Sequence, residues 1–443
     1  MTTERATSRE ILRLAVPAFL ALIAEPLFLL VDSAVVGRLG VVPLAGLGAA
    51  SAVLLTATGL FVFLAYGTTS AVARHMGAGH DQEAISSGIG GVWLAVGLGG
   101  LVAGVLAGAA RPLVIALGAS PGATDQAVAY LRISALGVPA MLVVLAATGI
   151  LRGLLDTRTP LIVATVGFTA NAGLNIVLVL GLGWGIAGAA WGTVIAQAGM
   201  AAALVVVVIR HARAVDAGLR PHPGRVLAAA RDGVPLLVRT LALRAILLLT
   251  VAAAASFGDV PLAAYQVSMT IWSFLVFALD ALAIAAQALT GRALGAGDVA
   301  GARRANATMI RWGVGAGVVL GLGILAVHTI LPRAFTPDIA TQQAIATALI
   351  VIAIGQPLSG YVFVIDGVLI GAGDGRWLAW SMIAILTLYA PVIWLARSVG
   401  ADLEPPAAMV VLWVAFTAFM AIRAVFMAWR IRGDGWAVVG ATR

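Results

Sequence analysis

Long apolar runs separated by short polar punctuation make up almost the whole chain. A membrane-crossing helix needs about 20 predominantly apolar residues. On that scale the 443 residues divide into twelve candidate spans: 11–36, 43–72, 86–110, 124–151, 160–182, 185–209, 227–257, 262–290, 305–331, 340–370, 376–399 and 405–430. Several exceed the minimum length, which predicts tilt, bending or extension beyond the lipid. The pattern therefore predicts an all-α polytopic membrane protein. The opening MTTERATSREILRL has no short apolar stretch with a small-residue cleavage site, so the first long segment is expected to remain in the mature chain.

The pattern also repeats. A shift of 218 residues places Val16-Pro17 on Val234-Pro235, GVVPLA (40–45) on GDVPLA (258–263), and RHMGAG (74–79) on RALGAG (292–297). The same shift places GVP (137–139) on GQP (355–357) and GILRGLLDTR (149–158) on GVLIGAGDGR (367–376). Chance explains isolated Leu or Ala identities in apolar sequence; it does not explain Pro, Gly, Asp and Arg holding one register. Two homologous six-helix lobes follow: 1–212 and 227–443, with a cytoplasmic linker at 213–226 inside the polar stretch 210–233. Six spans is an even number, so both lobes enter the membrane the same way round, related by an axis along the membrane normal.

Composition agrees with burial in lipid: 61% of residues are hydrophobic and only 10% charged, with a mean hydropathy of +1.05. All 27 basic residues are arginine, giving a formal net charge of +8. They are scattered between apolar runs, with none of the clustering that nucleic-acid binding requires. Twenty of the 27 fall on the side that holds both termini and the even-numbered loops, and four (Arg38, Arg111, Arg333 and Arg397) on the other. The remaining three, Arg132, Arg239 and Arg244, fall in or near helices. That asymmetry predicts cytoplasmic termini and, with the span count, a multi-pass protein of the inner (plasma) membrane. With no cysteine there is no disulfide framework and no thiolate chemistry. Spaced glycines such as Gly100, Gly104 and Gly108 are expected to let helices approach closely.

Charges at membrane depth are costly, so each one calls for a partner, water or a function. The first span carries Glu25 and Asp32 together with Pro17 and Pro26, each of which removes a backbone hydrogen bond and favours a bend. The fifth span carries Asn171 and Asn175, one turn apart on one face. Thr148 and Thr193 lie in the fourth and sixth spans. The second lobe holds Arg239, Arg244, Asp280 and Asp366, read either as a structural ion-pair network or as groups that touch substrate. Asp32 differs, because no intramembrane arginine of the first lobe is expected near its depth. A buried carboxylate without a cation is costly as an anion and takes up a proton readily. Glu25, nearer the outer end, is a candidate relay to it. The lobe-two counterpart of Asp32 is Thr250, so the acid occurs in one half only. Five dispersed histidines (75, 80, 211, 222 and 328) offer no metal-ligand spacing. No phosphate-binding GxxxxGK[ST] loop or nucleophile-elbow motif is present, so no catalytic residues, metal site or cofactor are expected.

These residues resemble those of a known family. Twelve spans as two sixes, P…LVDSAVVGRLG…PLAGLG at the start, GAG after the second span and again after the eighth, and LRGLLDTRTP after the fourth are similar to the multidrug and toxic compound extrusion (MATE) transporters. The stretch AYQVSMTIWSFLVFALDALAIAAQALTGRALGAGD (264–298) is most similar to their DinF-like, DNA-damage-inducible branch. The resemblance covers essentially the whole chain. It implies a V-shaped arrangement of lobes, alternating access, and export of a small amphipathic organic substrate in exchange for H⁺ or Na⁺, without enzymatic activity. It also implies a cation site in the first lobe, with Asp32, Asn171 and Thr193 at matching positions. Some members carry a second acid where this chain has Asn175. A sodium ion is a hard cation best held by several oxygens including carboxylates, so this departure favours proton coupling.

The expected cycle has Asp32 protonated from outside, the first span bending near Pro17–Pro26, and the first-lobe cavity contracting to release substrate. A monomer is expected. Three alternatives stay open: Na⁺-coupled export, a lipid-linked sugar flippase of the wider superfamily, and a non-transporting receptor or scaffold. A flippase would show three or more unpaired arginines in its cavity. Which of Phe28, Tyr66, Trp272 and Phe274 would line a cavity is open, as is the charge of the substrate.

Overall fold

The computed structural model describes residues 2–442, apart from the side chains of residues 2–8 and of Glu25. In the first half the helices are α1 (Thr2–Gly37), α2 (Val41–Gly59), α3 (Phe63–Gly77), α4 (Asp81–Gly108), α5 (Ala110–Ala116), α6 (Pro121–Ala135), α7 (Val138–Gly153), α8 (Arg158–Asn175) and α9 (Gly185–Ala214). The second half holds α10 (Pro223–Ser256), α11 (Asp259–Gly295), α12 (Val299–Val327), α13 (Ile339–Gly371), α14 (Gly375–Gly400) and α15 (Pro405–Arg432). Among the described residues, eleven helical stretches are long and apolar enough to cross a bilayer, and α6 with α7, bent by 50° at their junction, make a twelfth if counted as one span. The expected twelve spans are thus present, half of them a few residues longer at both ends.

The repeat is written into the backbone. The starts of α2 and α11, of α4 and α12, and of α6 and α13 are each 218 residues apart. Left-handed residues recur at the same interval: Gly40 (φ 117°) with Gly258 (105°), Gly79 (74°) with Gly297 (75°), and Leu155 (63°) with Gly373 (70°). Helix caps follow suit. The Ser120 hydroxyl accepts from the amide of Ala123 at 3.4 Å, and the Asp338 carboxylate from that of Thr341 at 2.7 Å. Each side-chain oxygen satisfies an amide that the helix itself leaves unpaired.

Two compact units emerge. The first lobe comprises Val16–Val234 with residues 440–442, and the second Pro235–Val439 with residues 2–15. Their borders fall inside α1 and α10, not at the ends of the 213–226 segment, and residues 223–226 are already helical.

The lobes differ where continuity matters. In the first, α2 passes to α3 through a 3₁₀ turn at Leu60–Val62, α6 bends into α7 at 136–137, and α8 passes into a π-helical segment, Ile176–Gly181. Such departures relax the regular backbone ladder and often mark functional sites. The corresponding helices α11, α13 and α14 run through without a break. Pro139 opens α7 at the bend, whereas its counterpart Pro357 sits inside α13. Helix α1 also continues through Pro17 and Pro26.

Close helix packing uses other glycines than the spaced set named above. A Cβ at Gly313 of α12 would lie 2.6 Å from the Gly360 carbonyl oxygen of α13, so only glycine allows this approach. In α4 the packed positions include Gly88, Gly91 and Gly99, facing Ile150, Thr68 and Pro139. Gly100, Gly104 and Gly108 are exposed and meet nothing within 4 Å, a correction to the reading of that set as packing residues.

Candidate functional site: a cavity within the first lobe

The first lobe holds a cavity of about 240 Å³. Its wall is mainly apolar, with Phe28 stacked on Phe168 at 5.4 Å and Met141, Met200 and several leucines completing it. Polar groups enter at few points: Asp32 from α1, Ser51 and Thr58 from α2, Tyr130 and Ser134 from α6, Thr148 and Arg152 from α7, and Thr193 and Gln197 from α9. An apolar chamber with a few converging polar groups is the usual form of a small-molecule site.

Asp32 is 2% exposed. One carboxylate oxygen accepts from Asn175 Nδ2 at 2.6 Å and the other from the Tyr130 hydroxyl at 3.4 Å. Both donors are neutral, and no ion pair involves Asp32 among the described residues. Asn171, buried one turn before Asn175, donates to Thr193 Oγ1 at 3.4 Å, and Thr193 in turn donates to the Ala189 carbonyl at 3.0 Å. Two buried amide oxygens of α8 have no hydrogen-bond partner, Asn171 Oδ1 and Asn175 Oδ1. Asn175 is the last residue of α8 before the π-helical segment. It fits because α9 presents Gly192, where a Cβ would run into the Asn175 carboxamide.

The residues expected to form a cation site, Asp32, Asn171, Asn175 and Thr193, are thus brought together in one hydrogen-bonded neighbourhood. Glu25 lies outside the described side chains. Pro17 and Pro26 belong to α1 but not to the cavity wall. Tyr130 and Ser134 are additional members of the neighbourhood. Their spacing of four residues on one helical face is a signal, but an uncharged pair in an apolar span is easily passed over. Arg152, at the end of α7, also lines the cavity, and no ion pair joins it to Asp32.

The second lobe uses its acid differently. Asp366, 6% exposed, receives Arg239 through Nε at 3.3 Å and through Nη2, and Arg423 Nη2 at 3.0 Å. Arg423 also lies over the Phe363 ring at 5.8 Å. Arg244 is exposed and Asp280 half-buried. Arg423, one of the twenty arginines assigned above to the cytoplasmic side, is instead a buried member of this group. At the positions matching Asp32 and Asn171 stand Thr250 and Tyr389, whose hydroxyls lie 2.8 Å apart. Thr250 donates to the Ile246 carbonyl, so the Tyr389 hydroxyl is the donor to Thr250. Of the aromatics singled out in the sequence, Phe28 lines the cavity and Tyr66 does not. Trp272 packs edge-on to Phe416 at 5.1 Å, and Phe274 is exposed beside Phe277.

Comparison with known proteins gives a consistent picture. The MatE family pattern matches residues 17–177 and 235–395, two segments again 218 residues apart. The Arabidopsis thaliana Protein DETOXIFICATION 43 is 31% identical, with 95% of this chain and 89% of that protein covered. The Escherichia coli DNA damage-inducible protein F is 29% identical over 94% of this chain and 91% of its own length. Among solved structures, the Vibrio cholerae MATE transporter VcmN in the bent form aligns with a TM-score of 0.88 at 20% identity, covering 99% of this chain and all of the other (100%). A MOP superfamily transporter from Pyrococcus furiosus aligns at 0.83 and 21% identity, with 96% of each chain covered.

Proposed function

The chain belongs to the MatE family, is a multi-pass membrane transporter and not an enzyme, and from that premise we propose that it exports small amphipathic organic compounds in exchange for protons. Asp32 is the proton carrier, and the first-lobe cavity is the substrate chamber. The protein works in the inner (plasma) membrane as a monomer with both termini in the cytoplasm.

What carries this reading is the contrast between the two buried aspartates. Asp366 is neutralised by two guanidinium groups and has no need of a proton. Asp32 is buried with neutral donors only. Its surroundings suit both protonation states. Asn175 Nδ2 and Tyr130 Oη supply hydrogen bonds to the anion, and a turn of the Asn175 amide, whose Oδ1 is unpaired, would present an acceptor to the O–H of the acid. When a proton arrives, the carboxyl turns from acceptor to donor, and the Asn175 amide can answer by turning its oxygen towards it. The change is made at the wall of the chamber, so it acts directly on the space open to substrate. Loading from outside and release to the cytoplasm complete an alternating-access cycle.

Na⁺ coupling is the second reading, favoured by the unpaired amide oxygens of Asn171 and Asn175, which are ligands of the hard type sodium prefers. Against it, Asn175 offers an amide in place of a second carboxylate and places an N–H donor on Asp32. A flippase reading is not favoured, because the chamber wall contains one arginine, Arg152, and Arg239 and Arg423 are held by Asp366. Exchange in proteoliposomes under separate pH and Na⁺ gradients decides between the ions. The wild type is expected to respond to ΔpH alone, and Asn175→Asp to gain a Na⁺ response. A wild-type response to Na⁺ without ΔpH would establish the second reading.

A further inference from the structure

Because the lobes share one register, the wall of the first-lobe cavity can be compared position by position with the second. Ala21 corresponds to Arg239, Leu54 to Trp272, Leu145 to Phe363 and Thr148 to Asp366. Three positions carry a larger side chain in the second lobe, and the fourth carries a charge. These four side chains form one group. Arg239 is paired with Asp366, and Trp272 lies 6.4 Å from Phe363 between ring centroids. Arg423 ties the two halves together, bonded to Asp366 at 3.0 Å and stacked over Phe363 at 5.8 Å. The space remaining beside Trp272 is about 10 Å³, room for one water at most. Backbone acts in the same sense, since α11 and α13 run unbroken where the first lobe is kinked open.

We infer that this charged and aromatic group is a plug, and that Trp272 and Phe363 are specificity-determining residues that confine organic substrate to the first lobe. The inference rests on the first-lobe cavity being the substrate chamber. The physical reason is asymmetric displaceability. The apolar wall of the first lobe gives way to an apolar ligand at little cost, whereas in the second lobe the space is filled by the Trp272 and Phe363 rings, and Arg423, bonded to the buried Asp366 and lying over Phe363, holds them in place. An uncharged ligand cannot displace that anchor, so the rings give way only when they are cut back. The rings of Trp272, Phe363 and Phe416, held against one another between α11, α13 and α15, resist the same entry by packing.

Substituting the first lobe's own residues into the second, Trp272→Leu with Phe363→Leu, should open a matching apolar space. Apolar cavities of sufficient size take up benzene-like ligands, so bromobenzene is the probe, located in crystals of the full chain by the anomalous scattering of bromine. The wild type is expected to show bromine in the first lobe only, and the double variant in both lobes. In detergent solution, saturable binding of fluorobenzene followed by ¹⁹F NMR should rise twofold, from one to two per chain; Trp272→Leu alone is the milder variant for this measurement. Bromine in the second lobe of the wild type, or binding that stays at one per chain in the variants, overturns the plug. The reciprocal change, Leu54→Trp with Leu145→Phe, is expected to remove the first-lobe site. If binding survives it, the chamber reading fails, which is a result distinct from failure of the plug.

Discussion

At the scale of single residues, the same side chain has opposite surroundings in the two lobes. Asp366 is compensated by charge and Asp32 by neutral hydrogen bonds, and the consequences of removing each should differ. Asp366→Ala leaves two buried guanidinium groups without their acid, a change that costs about 3–5 kcal/mol where a buried pair is broken. Asp32→Asn removes the buried charge and keeps one of the two acceptor oxygens, the lost one being recoverable by a turn of the neighbouring Asn175 amide. Thermal unfolding in detergent should therefore show a large loss for the first variant and little for the second. Which residues are legible from sequence follows from charge and depth. Asp32 stands out because an acid in a long apolar span is conspicuous, and Asn171, Asn175 and Thr193 through their positions in the family resemblance. Tyr130 and Ser134 escape notice because neither carries a charge. Arg423 is misread because depth in a span cannot be judged by counting from its end. The residue is 2% exposed within α15, whereas Arg430 and Arg432, seven and nine positions further on, mark the end of that helix.

At the scale of elements, the first lobe is the irregular one. Its 3₁₀ turn at Leu60–Val62, its 50° bend between α6 and α7, and its π-helical segment at Ile176–Gly181 have no equivalents in α11, α13 and α14. Irregular turns have weaker backbone ladders and open locally at lower free energy. Hydrogen exchange in nanodiscs should therefore be faster at 60–63, 136–138 and 176–184 than at the residues 218 positions later. Equal protection would argue against a mobile first lobe. None of these three breaks is legible in the apolar pattern, because a helix and a broken helix satisfy the same demand for apolar surface. Pro17 and Pro26 are legible, and α1 runs through both without a break in the helix. The cap of α13 adds a pH dependence of its own. Hydrogen bonds from the Thr341 hydroxyl and amide hold the Asp338 carboxyl below its ordinary value. A lowered carboxylate contributes stability that is present above its unfolded value and lost as pH falls through its folded one. The amides at the start of α13 should accordingly stay protected at mildly acidic pH and lose protection only in stronger acid. Asp338→Ala should abolish that dependence.

At the scale of the whole molecule, the duplication preserved the scaffold and divided the chemistry. Element starts, left-handed residues and helix caps keep their register, while the position of Asp32 is held by Thr250 and the wall of the chamber is replaced by the Arg239–Asp366–Arg423 group. The twelve spans and the repeat are readable because both are long-range patterns, averaged over many residues. The lobe borders are not, since they fall inside the continuous helices α1 and α10. The proposed orientation is open to direct test in a chain that has no cysteine. A cysteine placed at Asp216 should react with an impermeant maleimide only from the cytoplasmic side, and one at Asp402 only from outside; the reverse would invert the topology.

The central claim is that Asp32 carries the coupling proton. Purified wild type and Asp32→Asn, reconstituted in proteoliposomes, should be compared for substrate exchange driven by ΔpH with Na⁺ equal on both sides. The expected result is ΔpH-driven exchange by the wild type and its loss in Asp32→Asn, with substrate binding retained. Full ΔpH-driven exchange by Asp32→Asn would contradict it.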